Sequence, residues 1–270
     1  MSTKNRSVGA ATAILRVESR KRLRGSLVLT AGFALIAAFY LSVFPGFAED
    51  AEEIAEAFPE WMFDFFGLEE LHTIEGFLAA EIYSFFWVVL VGVYFAYVGA
   101  GTIAADVRNR KLDLTLSNPI SRESVLLQKV AALWLPLTIL NVAVPVIVYA
   151  GSVAIGETMN PVAVAMVHLL SIPYLLVCAG IGIVCSVVVG HARTARALAL
   201  GAVLALWLVD AVSRLSPDFE WVGDLTPSRY YDYTAILVHE EYALVDAGIL
   251  LLASVVLVGV ALVVFVRRDI

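Results

Sequence analysis

Long apolar runs alternate with short charged segments along the whole of this chain. Six stretches, at about 26–46, 82–105, 129–155, 164–190, 197–214 and 245–266, are free or nearly free of Asp, Glu, Lys and Arg. A helix rising 1.5 Å per residue needs about 20 residues to cross a bilayer, and all but the fifth reach that length comfortably. Strands do not fit the pattern. A barrel strand alternates lipid-facing and lumen-facing residues, whereas the segment WVVLVGVYFAYVGAG is apolar on every face. The expectation is an all-α integral membrane protein with six transmembrane helices in a single unit over 25–270. Outer loops are expected at 47–80 and 214–243, and a charged elbow at 106–128.

Composition agrees with this picture: 60% of the 270 residues are hydrophobic, 16% are charged, and mean hydropathy is +0.86. Soluble domains carry roughly a quarter charged residues. Charge also orients the chain. Of its 18 Lys and Arg, only Arg214 and Arg229 fall on the side opposite the N-terminus. The positive-inside rule therefore predicts cytoplasmic termini in a cell-membrane protein. The acids are mostly on the other face, so the net charge of −7 averages a basic inner and an acidic outer surface.

Residues 1–24 pattern as a basic amphipathic helix on the inner leaflet, with Val8, Ala11, Ile14 and Leu15 toward lipid and Arg16, Arg20, Lys21 and Arg24 toward head groups. The apolar run that follows is longer than a signal-peptide core, so it is expected to remain as the first span. In the first outer loop, aromatic residues recur at helical spacing opposite acids, and Pro59 predicts two short helices there. Pro136, Pro145 and Pro173 predict bends in the third and fourth spans. Gly92, Ala96 and Ala100, and Gly180 with Val184, offer small faces for close helix approach. Cys178 and Cys185 are seven residues apart on one helix, about 10.5 Å, too far for a disulfide. They are expected to pack as small apolar side chains.

The elbow carries the most information. After the second span come Asp106, Arg108, Arg110, Lys111 and Asp113, with Leu112, Leu114 and Leu116 interleaved. Asn118 followed by Pro119 predicts a helix N-terminus, running on through Ser121, Arg122, Glu123 and Lys129 into the third span. Charges of both signs with leucines between them suit a protein interface better than a lipid surface.

This stretch resembles the type-2 ATP-binding-cassette (ABC) permease family, the membrane subunits of ABC exporters. The resemblance rests on Asp106, the basic cluster Arg108–Lys111, LDLTLSNPISR from Leu112 to Arg122, LLQK from Leu126 to Lys129, and the closing FVRRDI. It is most similar to the branch that includes the nitrous-oxide-reductase maturation permeases. Where many relatives have Gly-Thr, this chain has Arg110-Lys111, and Asp106 stands for the usual Glu. The resemblance implies that the elbow is a coupling helix seated in a cleft of a separate ATPase subunit. Its implied contact residues are Asp106, Arg108, Arg110, Lys111, Asp113, Ser121, Arg122 and Glu123. It also implies a second permease subunit, identical or related, and no cofactor in this chain, with ATP and Mg held by the partner. The absence of a G-x-x-x-x-G-K-[ST] loop agrees with that division of labour.

Four other polar residues in or beside the spans stand out: Glu81, His168, Asp210 and Arg214. Asp210 and Arg214 are spaced i, i+4 for pairing, and each of the four either lines a pathway or satisfies a structural need. No catalytic constellation or metal-ligand spacing is present, so an enzyme is not expected. The alternative to an ATP-driven exporter is a gradient-driven secondary transporter, which usually shows internal repeats that this sequence lacks.

Overall fold

The computed structural model describes residues 12–57, 59–66 and 69–268. Val8, Ala11, Phe58 and the last two residues of the FVRRDI tail, Asp269 and Ile270, therefore lie outside the described residues. Everything described is helix or short connection, without strands, and six helices are long and apolar enough to cross a membrane.

The first crossing belongs to α1 (Ala13–Ala57), a single helix of 45 residues. At 1.5 Å per residue it is about 68 Å long, well beyond a hydrocarbon core of about 30 Å. The basic segment 13–24 is thus the start of this helix rather than a separate one lying on the membrane. At its other end α1 carries Pro45 without interruption and extends into the expected outer loop. Pro59 marks the break before α2 (Glu60–Phe66), where a missing backbone N–H is tolerated.

The second crossing, α3 (Ile74–Ala100), is α-helical except for a π-helical stretch over Ala79–Val91. The elbow follows as α4 (Ala104–Arg108), α5 (Lys111–Leu116) and α6 (Arg122–Ala131). The third span continues as α7 (Trp134–Ala154), and the turn between α6 and α7 has a direct cause. Pro136 has no N–H for the Ala132 carbonyl and its ring would clash there, so the helix ends at Ala131 and restarts. Pro145 and Pro173, by contrast, sit inside continuous helices.

The remaining spans are α8 (Pro161–Val188), α9 (Ala192–Ser213) and α11 (Leu244–Arg267). Between the last two, the second outer loop folds into single turns and the short α10 (Tyr233–Leu237). It dips into the bundle, burying Thr226, Ser228, Tyr231, Ile236 and Leu237. Irregular backbone at that depth is tolerated only against protein, and the loop is pinned accordingly. Tyr231 stacks on Tyr174 and donates to the Val167 carbonyl at 2.9 Å, while Tyr233 donates to that of Phe66 at 2.7 Å.

Two crossings form the inside of the bundle. In α3 and α8, 67% of the most apolar window is buried, against 22% in α1 and α11. Helix α8 packs against α3, α7, α9 and α11, and α1 packs against α7. Where α3 crosses α8 the two backbones touch. A Cβ at Gly182 would collide with the Ala96 carbonyl and the Ala100 amide, and one at Gly99 with the Ala179 carbonyl. Ala96 and Ala100 thus belong to this seam. Gly180, in contrast, faces Leu257 of α11, and Gly92 faces Tyr174.

Replacing Gly182 by Leu should therefore cost at least the 1–3 kcal/mol typical of overpacking and sharply lower thermal stability in detergent. Gly259→Leu, at a position with open space around it, should leave the melting temperature nearly unchanged.

Candidate functional site

The elbow is held to the bundle from below and presents its charges outward. Helix α3 closes at Gly101, and the next turn would leave backbone N–H groups without partners. Ser186 of α8 supplies one: its Oγ accepts from the amides of Ile103 and Ala104, at 2.8 and 2.9 Å. Helices α4 and α5 then join at Arg110, whose φ of +53° lies in the left-handed region. A side chain there costs about 1–2 kcal/mol relative to a right-handed residue, and glycine escapes the cost.

Leu112, Val125 and Leu126 are fully buried and form the underside of the elbow. On the other side Leu114 is 72% exposed, flanked by exposed Arg108, Arg110, Lys111 and Asp113. The helix start differs from expectation. Asn118 is spent closing α5, its Nδ2 donating to the Leu114 carbonyl at 3.0 Å. Ser121 caps α6 instead, accepting from the Ser124 amide at 3.2 Å, and Pro119 stiffens the link between them.

Beneath the elbow lies a buried ionic cluster. Lys129, 3% exposed, donates from Nζ to Asp106 Oδ2 at 2.6 Å and to the Thr102 carbonyl at 2.9 Å. Glu18 of α1 lies 3.7 Å from the same ammonium and also pairs with Lys21 at 2.5 Å. The Leu15 amide donates to Gln128 Oε1 at 3.2 Å. Three elements, α1, the start of the elbow and its last helix, meet at one lysine. Asp106 therefore faces inward rather than out toward the exposed face.

Arg122 is likewise engaged, donating to the main-chain carbonyls of Phe265, Val266 and Arg268 where α11 ends. Arg268 in turn donates to the Val187 carbonyl at 2.6 Å. Cations suit the free carbonyls of helix C-termini. Arg196 of α9 lies over the Tyr97 ring at 4.3 Å. Ser121 is exposed and Glu123 partly so. Of the clamp members, Gln128 falls within the LLQK motif, whereas Glu18 and Ser186 are not among the residues that the sequence singles out. Glu18 had a visible sign, an acid alone among cations, whereas nothing marks Ser186.

The other four residues lie away from the elbow. His168 is 1% exposed in the core, its Nε2 2.9 Å from the Tyr83 hydroxyl and its ring edge-on to Trp87. Ser171 extends the network to Asn141 at 3.0 Å. Asp210, 4% exposed, pairs with Arg214 at 3.2 Å. Its Oδ1 has no hydrogen-bond partner among the described residues and borders a cavity of ≈ 20 Å³, room for one water. Glu81 is half-buried near the outer end of α3. Cys178 is buried and Cys185 partly so, both as free thiols.

These spans and this elbow have a counterpart among known sequences. Residues 12–270 match the family described as ABC-2 family transporter protein. The chain belongs to that family. A search of curated proteins finds no match. Membership makes the protein a multi-pass membrane permease of an ABC transporter, a component type that is typically non-catalytic.

On the far side of this ABC-2 permease, His239 and Glu69 join the two outer loops at 2.6 Å. Both residues neighbour a left-handed glutamate, Glu240 and Glu70. The Glu69 hydrogen bond, with Glu69, Glu70 and Glu241 charges nearby, holds the His239 pKa above its ordinary value of 6.5. A raised pKa means that the clasp is complete below the unfolded histidine's pKa and is lost as pH rises through the folded one.

Three outcomes follow from this geometry. Lys129→Met leaves Asp106 without its cation, while Glu18 keeps Lys21, and should destabilise the protein by about 3 kcal/mol, measurable as a drop in detergent melting temperature. Arg110→Gly should instead gain up to about 1 kcal/mol by relieving the left-handed strain. Hydrogen-exchange protection across 69–73, taken relative to the base-catalysed intrinsic rate at each pH, should fall as pH rises through the raised His239 pKa, and this loss of protection should be absent in Glu69→Gln.

Proposed function

We propose that this chain is the membrane-spanning subunit of an ATP-driven exporter, and that its elbow docks into a separate ATPase subunit. The observation that carries this reading is the exposed Leu114 set among Arg108, Arg110, Lys111 and Asp113, on an elbow whose underside is clamped to α1, α8 and α11. An apolar anchor ringed by charges suits a protein partner. The clamps suit the transmission of force, because a push on the elbow reaches three spans at once.

In this reading ATP and Mg are held by the ATPase, and two permease subunits, identical or related, share two ATPase subunits. The elbow face and both termini are cytoplasmic and the membrane is the plasma membrane, as the distribution of cations supports. Ser121 and Glu123 extend the docking face, while Asp106 and Arg122 act from beneath it. The Leu112–Arg122 motif supports kinship with the nitrous-oxide-reductase maturation branch. The apolar lining of the bundle favours an amphipathic or lipidic cargo.

The test is co-purification from the native host through a C-terminal tag, with and without crosslinking. A P-loop ATPase should accompany the native chain. Leu114→Asp, or reversal of Arg108, Arg110 and Lys111 to Glu, should reduce its recovery at least tenfold without loss of the folded permease. Equal recovery with the variants, or no ATPase with the native chain, would overturn the docking role.

A further inference from the structure

On the outer half of the bundle, α1, α2 and the π-helical part of α3 enclose a groove of ≈ 400 Å³. Its volume falls within the range of small-molecule sites. Tyr40 and Phe47 come from α1, Phe66 and Met62 from α2, and Phe85 and Phe86 from α3. Glu81 is the one charged side chain among the described residues that line it. Ser84, which carries the hydroxyl of the α3 wall, donates it to the Ala80 carbonyl. Tyr40 brings its hydroxyl to the same groove as the Glu81 carboxylate.

The π-helical winding shapes this wall. With i→i+5 hydrogen bonds, Glu81 and Phe86 come onto one side of the helix together with Ala80, Ser84 and Phe85. Among the described residues no cation pairs with this carboxylate, and beside aromatic faces at the edge of a membrane a positive ligand complements it best. Ring faces attract the same charge. The acids concentrated on the outer surface raise the local concentration of cations and repel anions.

We propose that this groove binds a lipophilic organic cation, its charge met by Glu81 and its apolar body held against Tyr40, Phe47, Phe66, Phe85 and Phe86. A neutral lipid tail would fill the volume but leave Glu81 uncompensated, and an anionic amphiphile would be repelled. The site is a property of this chain and does not depend on the ATPase.

The full chain in phosphatidylcholine nanodiscs, with no ATPase subunit, is titrated with radiolabelled tetraphenylphosphonium. Tetraphenylborate serves as the anion of equal size and shape. Saturable binding of the phosphonium, near one per chain, is expected, with no competition by the borate. Glu81→Gln should weaken binding at least tenfold. Phe85→Ala, at a side chain already 45% exposed, should weaken it severalfold with helix content unchanged. Asp218→Asn, an exposed outer acid away from the groove, should bind as the native chain does. Three results would overturn the proposal: no saturable binding above empty discs, undiminished affinity in Glu81→Gln, or equal weakening in Asp218→Asn, which would mark diffuse surface charge. Because no ATPase is present, failure here leaves the docking role of the elbow untouched, and failure of docking leaves this site standing.

Discussion

The backbone contact between α3 and α8 is the constraint on which the rest of the molecule hangs. Within a membrane no hydrophobic force draws helices together, since lipid tails are as apolar as leucine. Association must come from close packing and hydrogen bonds. Gly99 and Gly182 allow the two helices to touch along Ala96, Ala100 and Ala179, with no side chain between them. One turn further along α8, Ser186 receives the two amides left free as α3 ends. The seam thus fixes both how deep the second span sits and where the elbow leaves it.

From that origin the elbow is tied outward to its neighbours by polar contacts made in apolar surroundings. Lys129 gathers Asp106, the Thr102 carbonyl and Glu18, and Arg122 holds the end of α11. Removing water from such a cluster is costly, and the cost is offset only while every member keeps its partner. Breaking any one contact therefore leaves a buried polar group uncompensated. The elbow is therefore tied to α1, α8 and α11 together rather than hanging as a free loop.

The outer half is organised differently. There the chain uses aromatic stacking and tyrosine hydroxyls, from Tyr231 on Tyr174 to Tyr233 on Phe66, to seat an irregular loop inside the bundle. The wide turns of the π-helical stretch in α3 face Trp87 and Tyr83 toward His168 on one side and Glu81 toward a groove on the other. One helix so serves two surfaces with different chemistry.

Six crossings, their apolar character and the charged elbow were legible in the sequence, because burial in lipid demands unbroken apolar runs and charges must gather where they end. The resemblance of Leu112–Arg122 to type-2 ABC permeases was legible for a similar reason, since the elbow's motif is local. Helix ends were less so: Asn118 and Ser121 are both good caps, and only the fold showed that Asn118 is consumed by α5. The small-residue seam was half visible, with Ala96 and Ala100 recognisable but their partner Gly182 hidden among many small residues. The inward turn of Asp106, the place of Glu18 and Ser186, and the core position of His168 came from tertiary structure alone. Each depends on residues dozens of positions apart meeting at one depth, and in a chain of uniformly apolar helices periodicity carries little trace of which face meets which neighbour.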